Sequence, residues 1–121
     1  MARILVADDA PAVLDVLDDI LTLEGHEVVR ATSGQEALRK FEDSSPDLAV
    51  LDIMMPDMDG YDTMRAIRKV AKFRSLPIIA LTAKAMKGDR EKCIEAGASD
   101  YISKPVDPEQ LLALLRVWLY R

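Results

Sequence analysis

Leu48-Ala49-Val50-Leu51-Asp52 is a run of four apolar residues that ends abruptly at a carboxylate. A stretch that is apolar at every position, rather than at alternate ones, is typical of a strand covered by helices on both faces of its sheet. Similar short apolar runs alternate with helix-length amphipathic stretches from one end of the chain to the other. This alternation predicts the α/β class, with a doubly wound parallel sheet.

Five strand–helix pairs account for the chain. Helix starts are indicated by capping patterns such as Ser33-Gly34-Gln35-Glu36 and by prolines in the first turn, and helix ends by glycines. The predicted strands span 3–7, 27–31, 48–51, 78–81 and 101–103. The predicted helices span 11–24, 33 onward, the turn at 59–60 to about 72, 87–96, and 107 onward.

Length and composition limit what the protein can be. A chain of 121 residues can bury about two thirds of its unfolded surface, so residues 1–121 are predicted to form one domain. The net charge of -5 and the absence of a Lys and Arg block argue against direct binding to nucleic acid. No apolar run could span a membrane or act as a signal peptide, and the lone Cys93 suits a reducing compartment. A soluble, cytoplasmic protein is therefore expected.

Polar side chains follow four of the predicted strands at the point where each strand ends. They are Asp8 and Asp9 after the first strand, Asp52 after the third, Thr82 after the fourth and Lys104 after the fifth. Any one of them could be an ordinary helix cap, turn hydroxyl or surface charge. Because the carboxyl ends of parallel strands share one edge of a sheet, where ligands bind, the five together predict a functional site.

Three carboxylates at one edge need a cation. Each close pair repels by about 4 kcal/mol at an effective dielectric constant of about 20. Mg²⁺ suits this set, since it takes one or two carboxylates with retained waters and phosphate oxygens. A calcium-binding EF-hand loop with Gly60 at its sixth position would begin at Met55 and end at Ala66, and neither residue supplies a carboxylate. A carboxylate beside Mg²⁺ can attack phosphorus to form an acyl phosphate, with Lys104 and Thr82 available to the phosphoryl oxygens.

Four motifs carry a family resemblance that extends over essentially the whole chain. They are Ala7-Asp8-Asp9, Asp52-Ile53-Met54-Met55-Pro56-Asp57-Met58-Asp59-Gly60, Leu81-Thr82-Ala83 and Lys104-Pro105. Together they resemble the receiver domain (CheY-like) of two-component response regulators. The resemblance implies a flavodoxin-like (βα)5 fold with strand order 2-1-3-4-5.

The resemblance also implies roles for individual residues. Asp52 would be the phosphoacceptor, and Mg²⁺ would be held by Asp9, Asp52 and the backbone carbonyl of Met54, with Asp8 acting largely through bound water. Lys104, preceding Pro105 in a cis peptide, would pair with the phosphoryl group.

Three further positions match the family's switch and its phosphoryl pocket. Thr82 would move toward a phosphoryl oxygen, Tyr101 would change its exposure, and Ala83 would leave room for the group.

Met54 and Lys84 lie two residues beyond Asp52 and Thr82, where the family places side chains beside the path of hydrolytic water. Neither offers a carboxylate or amide that would orient an attacking water. The sequence therefore predicts a comparatively long-lived phosphoryl group on Asp52.

The last helix is apolar most of the way around, which is more than one buried stripe requires. We expect Leu111, Leu115 and Leu119 to face the sheet. Leu114 and Val117 would then form, with Tyr101, a face for an output protein or for phosphorylation-dependent homodimerisation.

Two functions from different classes remain open. The first is a phosphorelay receiver, which takes a phosphoryl group from a histidine kinase or phosphotransfer protein, switches its affinity for a downstream partner, and catalyses only its own phosphorylation and dephosphorylation. The alternative is a Mg²⁺-dependent phosphatase of the haloacid dehalogenase type. Such enzymes need a second Asp two residues after the nucleophile, where this chain has Met54.

Overall fold

The computed structural model describes residues 2–55, 58–82 and 89–120. Within them, five strands alternate with five α-helices, as predicted. The strands are β1 (Arg3–Ala7), β2 (Glu27–Ala31), β3 (Leu48–Asp52), β4 (Ile78–Thr82) and β5 (Asp100–Ser103). The helices are α1 (Pro11–Leu23), α2 (Gly34–Ser44), α3 (Gly60–Lys69), α4 (Asp89–Ala96) and α5 (Pro108–Leu119), and a short 3-10 helix covers Ala71–Phe73.

The strands form one parallel sheet in the order β2-β1-β3-β4-β5, which confirms the order implied by the resemblance. The register aligns the carboxyl ends: Ala7 of β1 lies opposite Leu51, Asp52 lies opposite Leu81, and Thr82 lies opposite Ser103. The residues that follow these strands are therefore brought to one edge.

Each face of the sheet is covered by its own buried apolar cluster. In β1, Leu5 and Ala7 belong to the cluster formed with α2, α3 and α4, whereas Ile4 and Val6 belong to the cluster formed with α1 and α5. This division follows from the two-residue alternation of side chains along a strand. All five residues of β3 are buried: the four apolar ones, as their sequence predicts, and also Asp52.

The predicted end of α3 near residue 72 is wrong, because the helix stops at Lys69. Val70 adopts an extended backbone conformation, with φ −83° and ψ 120°. The chain then turns so that Phe73 becomes buried against Phe41, with ring centroids 5.5 Å apart. Burial of an aromatic ring is worth more than continuing an exposed helix by one turn, and the packing sets the boundary.

Other boundaries shift by one or two residues. Helix α1 ends at Leu23, β3 and β4 each extend by one residue to Asp52 and Thr82, and β5 starts at Asp100. Helix α4 begins at Asp89 within the described residues, whereas its predicted start, Lys87, lies outside them.

Side-chain caps fix the starts of the helices near the site. Ser33 Oγ accepts from Glu36 N at 3.1 Å, and the return bond of the predicted capping box reaches Thr32 N at 2.8 Å. Asp59 caps α3 by accepting from Asp62 N at 2.9 Å. These bonds satisfy amide groups that a helix leaves unpaired at its first turn.

Cys93 and His26, for which the sequence predicts no chemical role, contribute to the packing and hydrogen bonding of the fold. Cys93 is buried within the cluster beneath α4, and His26 Nδ1 accepts from Ala2 N at 3.1 Å. Across the described part of the chain, none of the helices combines the length and the apolar character that crossing a membrane requires.

Candidate functional site

The acidic cluster, Asp8, Asp9 and Asp52, lies where β1 and β3 end side by side. One carboxylate oxygen from each residue lies within 4.8 Å of the others. Asp8 and Asp52 are buried, with relative exposures of 0% and 1%, whereas Asp9 is exposed. The structure thus brings together the three carboxylates that the sequence places at separate strand ends.

Asp52 is held by contacts at both of its carboxylate oxygens. Oδ1 accepts from Met54 N at 3.0 Å, and Oδ2 lies 3.4 Å from Lys104 Nζ. Burial raises the pKa of Asp52; the Met54 amide opposes this, the charge of Asp8 adds to it, and Lys104 opposes it. The net result is a carboxyl group whose pKa lies above its ordinary value, which is a frequent property of functional carboxylates.

Lys104 neutralises part of the acidic cluster. Its Nζ lies 2.9 Å from Asp8 Oδ2, and its backbone N donates to Thr82 O at 2.6 Å, extending the pairing of β4 and β5. Burial alone would lower the pKa of Lys104, but its contact with Asp8 and the charge of Asp52 outweigh burial and raise it. The Lys104–Pro105 peptide is cis, as the resemblance implies.

Two buried oxygens at this edge have no hydrogen-bond partner among the described residues: Asp8 Oδ2 and Thr82 Oγ1. Asp8 Oδ2 lies close enough to Lys104 Nζ to form an ion pair, but the angles of this contact are not those of a hydrogen bond. A buried polar atom left unpaired costs about 1–3 kcal/mol. Both atoms are therefore available for a ligand.

The donor set fits a magnesium ion. Three carboxylates face one ammonium group, so the site holds excess negative charge. Asp8 Oδ2 has an unused hydrogen-bonding position, and Asp9 is open to solvent, which suits an ion that keeps several waters. Asp8, Asp9, Asp52 and the Met54 carbonyl are the residues that would hold it.

The remaining predicted positions differ in their exposure. Met54 is 67% exposed beside Asp52, whereas Tyr101 is half-buried and packs against the cluster covered by α2, α3 and α4. Ala83 and Lys84 lie outside the described residues.

The face predicted on α5 is only partly exposed. Leu111 and Leu115 are buried against the sheet and Leu119 is half-buried, as expected for the inner side of the helix. Val117 is 55% exposed, but Leu114 is half-buried and packs on the core. Much of Leu114 is thus already covered.

Sequence reasoning missed an apolar recess of about 610 Å³ beside the site. The α1 recess is lined by Ala12, Val13, Val16, Lys104, Pro105 and Val106. Val16 is 47% exposed and lies off the buried stripe of α1. In the sequence, the signal for the recess is an apolar residue, Val16, outside the helical stripe of Leu14, Leu17 and Leu21.

Comparisons with known proteins agree with this geometry. The family model described as "Response regulator receiver domain" matches residues 4–116. The protein named "Probable transcriptional regulator ycf27" of Pyropia yezoensis is 43% identical over 119 residues, covering 98% of this chain and 48% of that protein. Response regulator PleD of Caulobacter vibrioides is 41% identical over 115 residues, covering 95% of this chain and 25% of PleD.

Two solved structures have the same fold. The receiver domain of sensor histidine kinase PA1611 of Pseudomonas aeruginosa, which holds a magnesium ion in its active site cleft, superposes with a TM-score of 0.92 at 37% identity, covering 99% of this chain and 98% of that one. Vibrio cholerae CheY4 superposes with a TM-score of 0.93 at 31% identity, covering 98% and 99% of the two chains.

The chain spans about half the length of the ycf27 relative and a quarter of PleD, so the likeness concerns the receiver portion of those proteins. The family match, the strand order and the acidic cluster at the carboxyl ends of β1 and β3 agree with one another. The chain belongs to the response regulator receiver domain family.

Proposed function

We propose that this chain is a phosphorelay receiver in which Asp52 accepts a phosphoryl group and stores it as a signal. The observation that carries the proposal is the position of Asp52: buried at the end of β3, with Asp8 and Asp9 oxygens within 4.8 Å and Lys104 Nζ at 3.4 Å. The phosphatase alternative has no support from the fold or the comparisons, and the residue two positions after Asp52 is Met54.

The chemistry is a transfer between nitrogen and oxygen. An oxygen of Asp52 bonds to the phosphorus of a phosphohistidine, the N–P bond breaks, and its electron pair remains on the imidazole nitrogen. Lys104 places a positive charge where the phosphoryl oxygens would lie, and the Met54 amide orients the Asp52 carboxylate. When bound, Mg²⁺ would supply charge neutralisation that this one ammonium group cannot provide alone.

Thr82 supplies the switch in this proposal. Its buried hydroxyl has no hydrogen-bond partner among the residues described, and a phosphoryl oxygen on Asp52 would give it one. Tyr101 lies opposite Ala80 in the neighbouring strand, two residues before Thr82, so a shift at the end of β4 would reach the aromatic ring. Near-complete switching requires phosphorylation to favour the active conformation by about 5 kcal/mol.

The phosphodonor is proposed to be a histidine kinase or phosphotransfer protein that docks at the α1 recess. The recess shares Lys104 with the site, so a protein seated there would hold its phosphohistidine next to Asp52. Asp15 is already paired with Arg30 at 2.8 Å, but the exposed carboxylate of Asp19 on the same helix favours a donor surface with a basic residue beside an apolar centre. We expect this transfer to take place in the cytoplasm.

Downstream signalling is proposed to use the face formed by Tyr101, Leu114 and Val117. Val117 is exposed, and Tyr101 is only half-buried, so a change in the ring's position would alter the surface beside α5. An output protein or a second copy of the chain would read that surface.

Phosphorylation by a small donor tests the proposal without a partner protein. The protein is incubated with acetyl phosphate and MgCl2, and its intact mass is compared with samples in EDTA and with Asp52→Asn. We expect one phosphoryl adduct, present only with Mg²⁺ and absent from the variant. An adduct that persists in Asp52→Asn would contradict the assignment, and sustained turnover of many phosphate esters would favour the phosphatase.

A further inference from the structure

Gly60, the first residue of α3, packs directly on the backbone of the proposed acceptor. A Cβ atom built on Gly60 would lie 2.4 Å from the carbonyl oxygen of Asp52 and 2.4 Å from Cα of Ile53. The amide of Gly60 also donates to Ile53 O at 3.2 Å. Helix α3 therefore begins in contact with the Asp52–Ile53 peptide, and the contact leaves no room for a methyl group.

Gly34, the first residue of α2, makes a similar approach to the residues around the start of α3. A Cβ atom there would lie 2.3 Å from Thr63 Oγ1 and 2.7 Å from the backbone oxygen of Met58. Thr63 Oγ1 in turn donates to Asp59 O at 2.8 Å, and Asp59 is the residue that caps α3. Helix α2 thus presses on the segment that sets where α3 begins.

The need for glycine at these two positions is spatial. The glycines with positive φ among the described residues are Gly25 and Gly97, so Gly34 and Gly60 have backbone conformations that other residues can adopt. Alanine stabilises helices relative to glycine. Replacement by alanine would therefore be tolerated, or even favourable, if these close contacts were absent.

We propose that Gly60 and Gly34 are positioning residues for the acceptor site: they let α3 and α2 approach closely enough to fix the Asp52 carboxylate and the Met54 carbonyl toward Mg²⁺. The inference rests on the proposed function and deepens it. With a Cβ on Gly60, the start of α3 and the Asp52–Ile53 peptide would have to move apart by about 1 Å, so that the contact lengthens from 2.4 Å to an ordinary 3.4 Å. Catalytic and metal-binding groups tolerate displacements of only about 0.5 Å.

The test compares Mg²⁺ affinity with fold stability. Wild type, Gly60→Ala, Gly34→Ala and the control Ala66→Gly are unfolded with urea at increasing MgCl2, and the affinity follows from the gain in stability with free Mg²⁺. The two glycine variants are expected to bind Mg²⁺ about 10- to 100-fold more weakly. Ala66→Gly, within α3, lowers helix stability by changing propensity, and its Mg²⁺ affinity is expected to equal that of wild type.

The outcomes separate this inference from the proposed function. If wild type gains no stability from Mg²⁺, both are wrong. If wild type binds Mg²⁺ and both glycine variants bind it equally well, the positioning role alone is wrong. The positioning role is also wrong if Ala66→Gly loses as much Mg²⁺ affinity as the glycine variants. It is wrong too if neither glycine variant folds, since the close contacts would then serve the stability of the fold in general. If Gly60→Ala fails to fold, the Mg²⁺ affinity of Gly34→Ala tests the positioning role alone. The shortest overlap of Gly34→Ala is with a side-chain oxygen, Thr63 Oγ1, and not with the backbone.

Discussion

Lys104 lies closer to Asp8 than to the proposed acceptor, with 2.9 Å between Lys104 Nζ and Asp8 Oδ2. The distance from the same nitrogen to Asp52 Oδ2 is 3.4 Å. One ammonium group thus offsets the repulsion between two buried carboxylates. A cation bound by the carboxylates would compete with Lys104 for them and free its charge for a phosphoryl group.

Lys104→Met is expected to lower the free energy of unfolding by about 3 kcal/mol at neutral pH in EDTA, because removing one partner leaves buried carboxylates unpaired. MgCl2 should recover part of the loss. Urea unfolding measures both effects. Arg65→Met is the control, since it removes a cation from an exposed pair with Asp62 and should cost less than about 1 kcal/mol. Equal losses in the two variants would contradict the account.

Asp52→Asn is expected to stabilise the protein at neutral pH. Burial, opposed by the Met54 amide and Lys104 and reinforced by the charge of Asp8, raises the pKa of Asp52 above its ordinary value. The folded state therefore keeps this proton to higher pH than the unfolded chain, and stability falls as pH rises through that window. At neutral pH the variant removes this cost and should be more stable than wild type, and the gain should disappear below the ordinary pKa of a carboxyl group. Urea unfolding against pH checks this, and a gain that persists at low pH would argue against a buried charge.

Thr82→Val should have opposite effects in the two states of the protein. Without a phosphoryl group it removes a buried hydroxyl that lacks a partner and should stabilise the fold by about 1 kcal/mol. With acetyl phosphate and Mg²⁺, the variant should gain less stability than wild type. Thr63→Val is the matched control, because the hydroxyl of Thr63 is buried and bonded to Asp59 O, so its loss should destabilise the protein. Destabilisation by both variants would show that Thr82 is already satisfied.

Met54→Asn combined with Lys84→Glu should accelerate loss of the phosphoryl group by about tenfold or more, since a positioned amide and carboxylate can orient the attacking water. Met54 is 67% exposed and lies next to the acceptor, so its replacement should leave stability nearly unchanged. The decay of phosphoprotein after removal of the donor measures the rate. An unchanged rate would mean that these side chains do not set the phosphoryl lifetime.

Val16→Asp should slow transfer from a histidine kinase by about tenfold while leaving the rate with acetyl phosphate unchanged, because a charge in the α1 recess opposes docking only of a protein. Leu23→Asp, at the end of the same helix and 87% exposed, is the control. If both donors are slowed equally by Val16→Asp, the recess affects the site itself and is not a docking surface.

The sequence predicts the sheet, and the gathering of polar side chains at one of its edges, for a physical reason. Leu48 to Leu51 of β3 are all apolar, and the polar residue that closes the strand, Asp52, marks the edge where it ends. The order of the strands could not be predicted in this way, because it depends on which strands pair across long stretches of chain. It was implied only by the family resemblance. Asp52 and Lys104 are distant in sequence, and only the parallel register brings them together.

The features that the sequence did not predict depend on packing. Helix α3 ends early because Phe73 packs on Phe41, a contact between distant segments. Leu114 is half-buried because the core extends over more of α5 than one stripe. Gly60 is recognisable in sequence as a turn residue, but its contact with the Asp52 backbone appears only once α3 is in place.

Chemical trapping of the phosphorylated residue identifies the acceptor directly. The protein is phosphorylated with acetyl phosphate and Mg²⁺ and treated with sodium borohydride, which reduces an aspartyl phosphate to homoserine, and the modified residue is located by tandem mass spectrometry. We expect homoserine at position 52 in the Mg²⁺ sample and none in EDTA. Modification at Asp8 or Asp9 in place of Asp52, or modification that is independent of Mg²⁺, would contradict it.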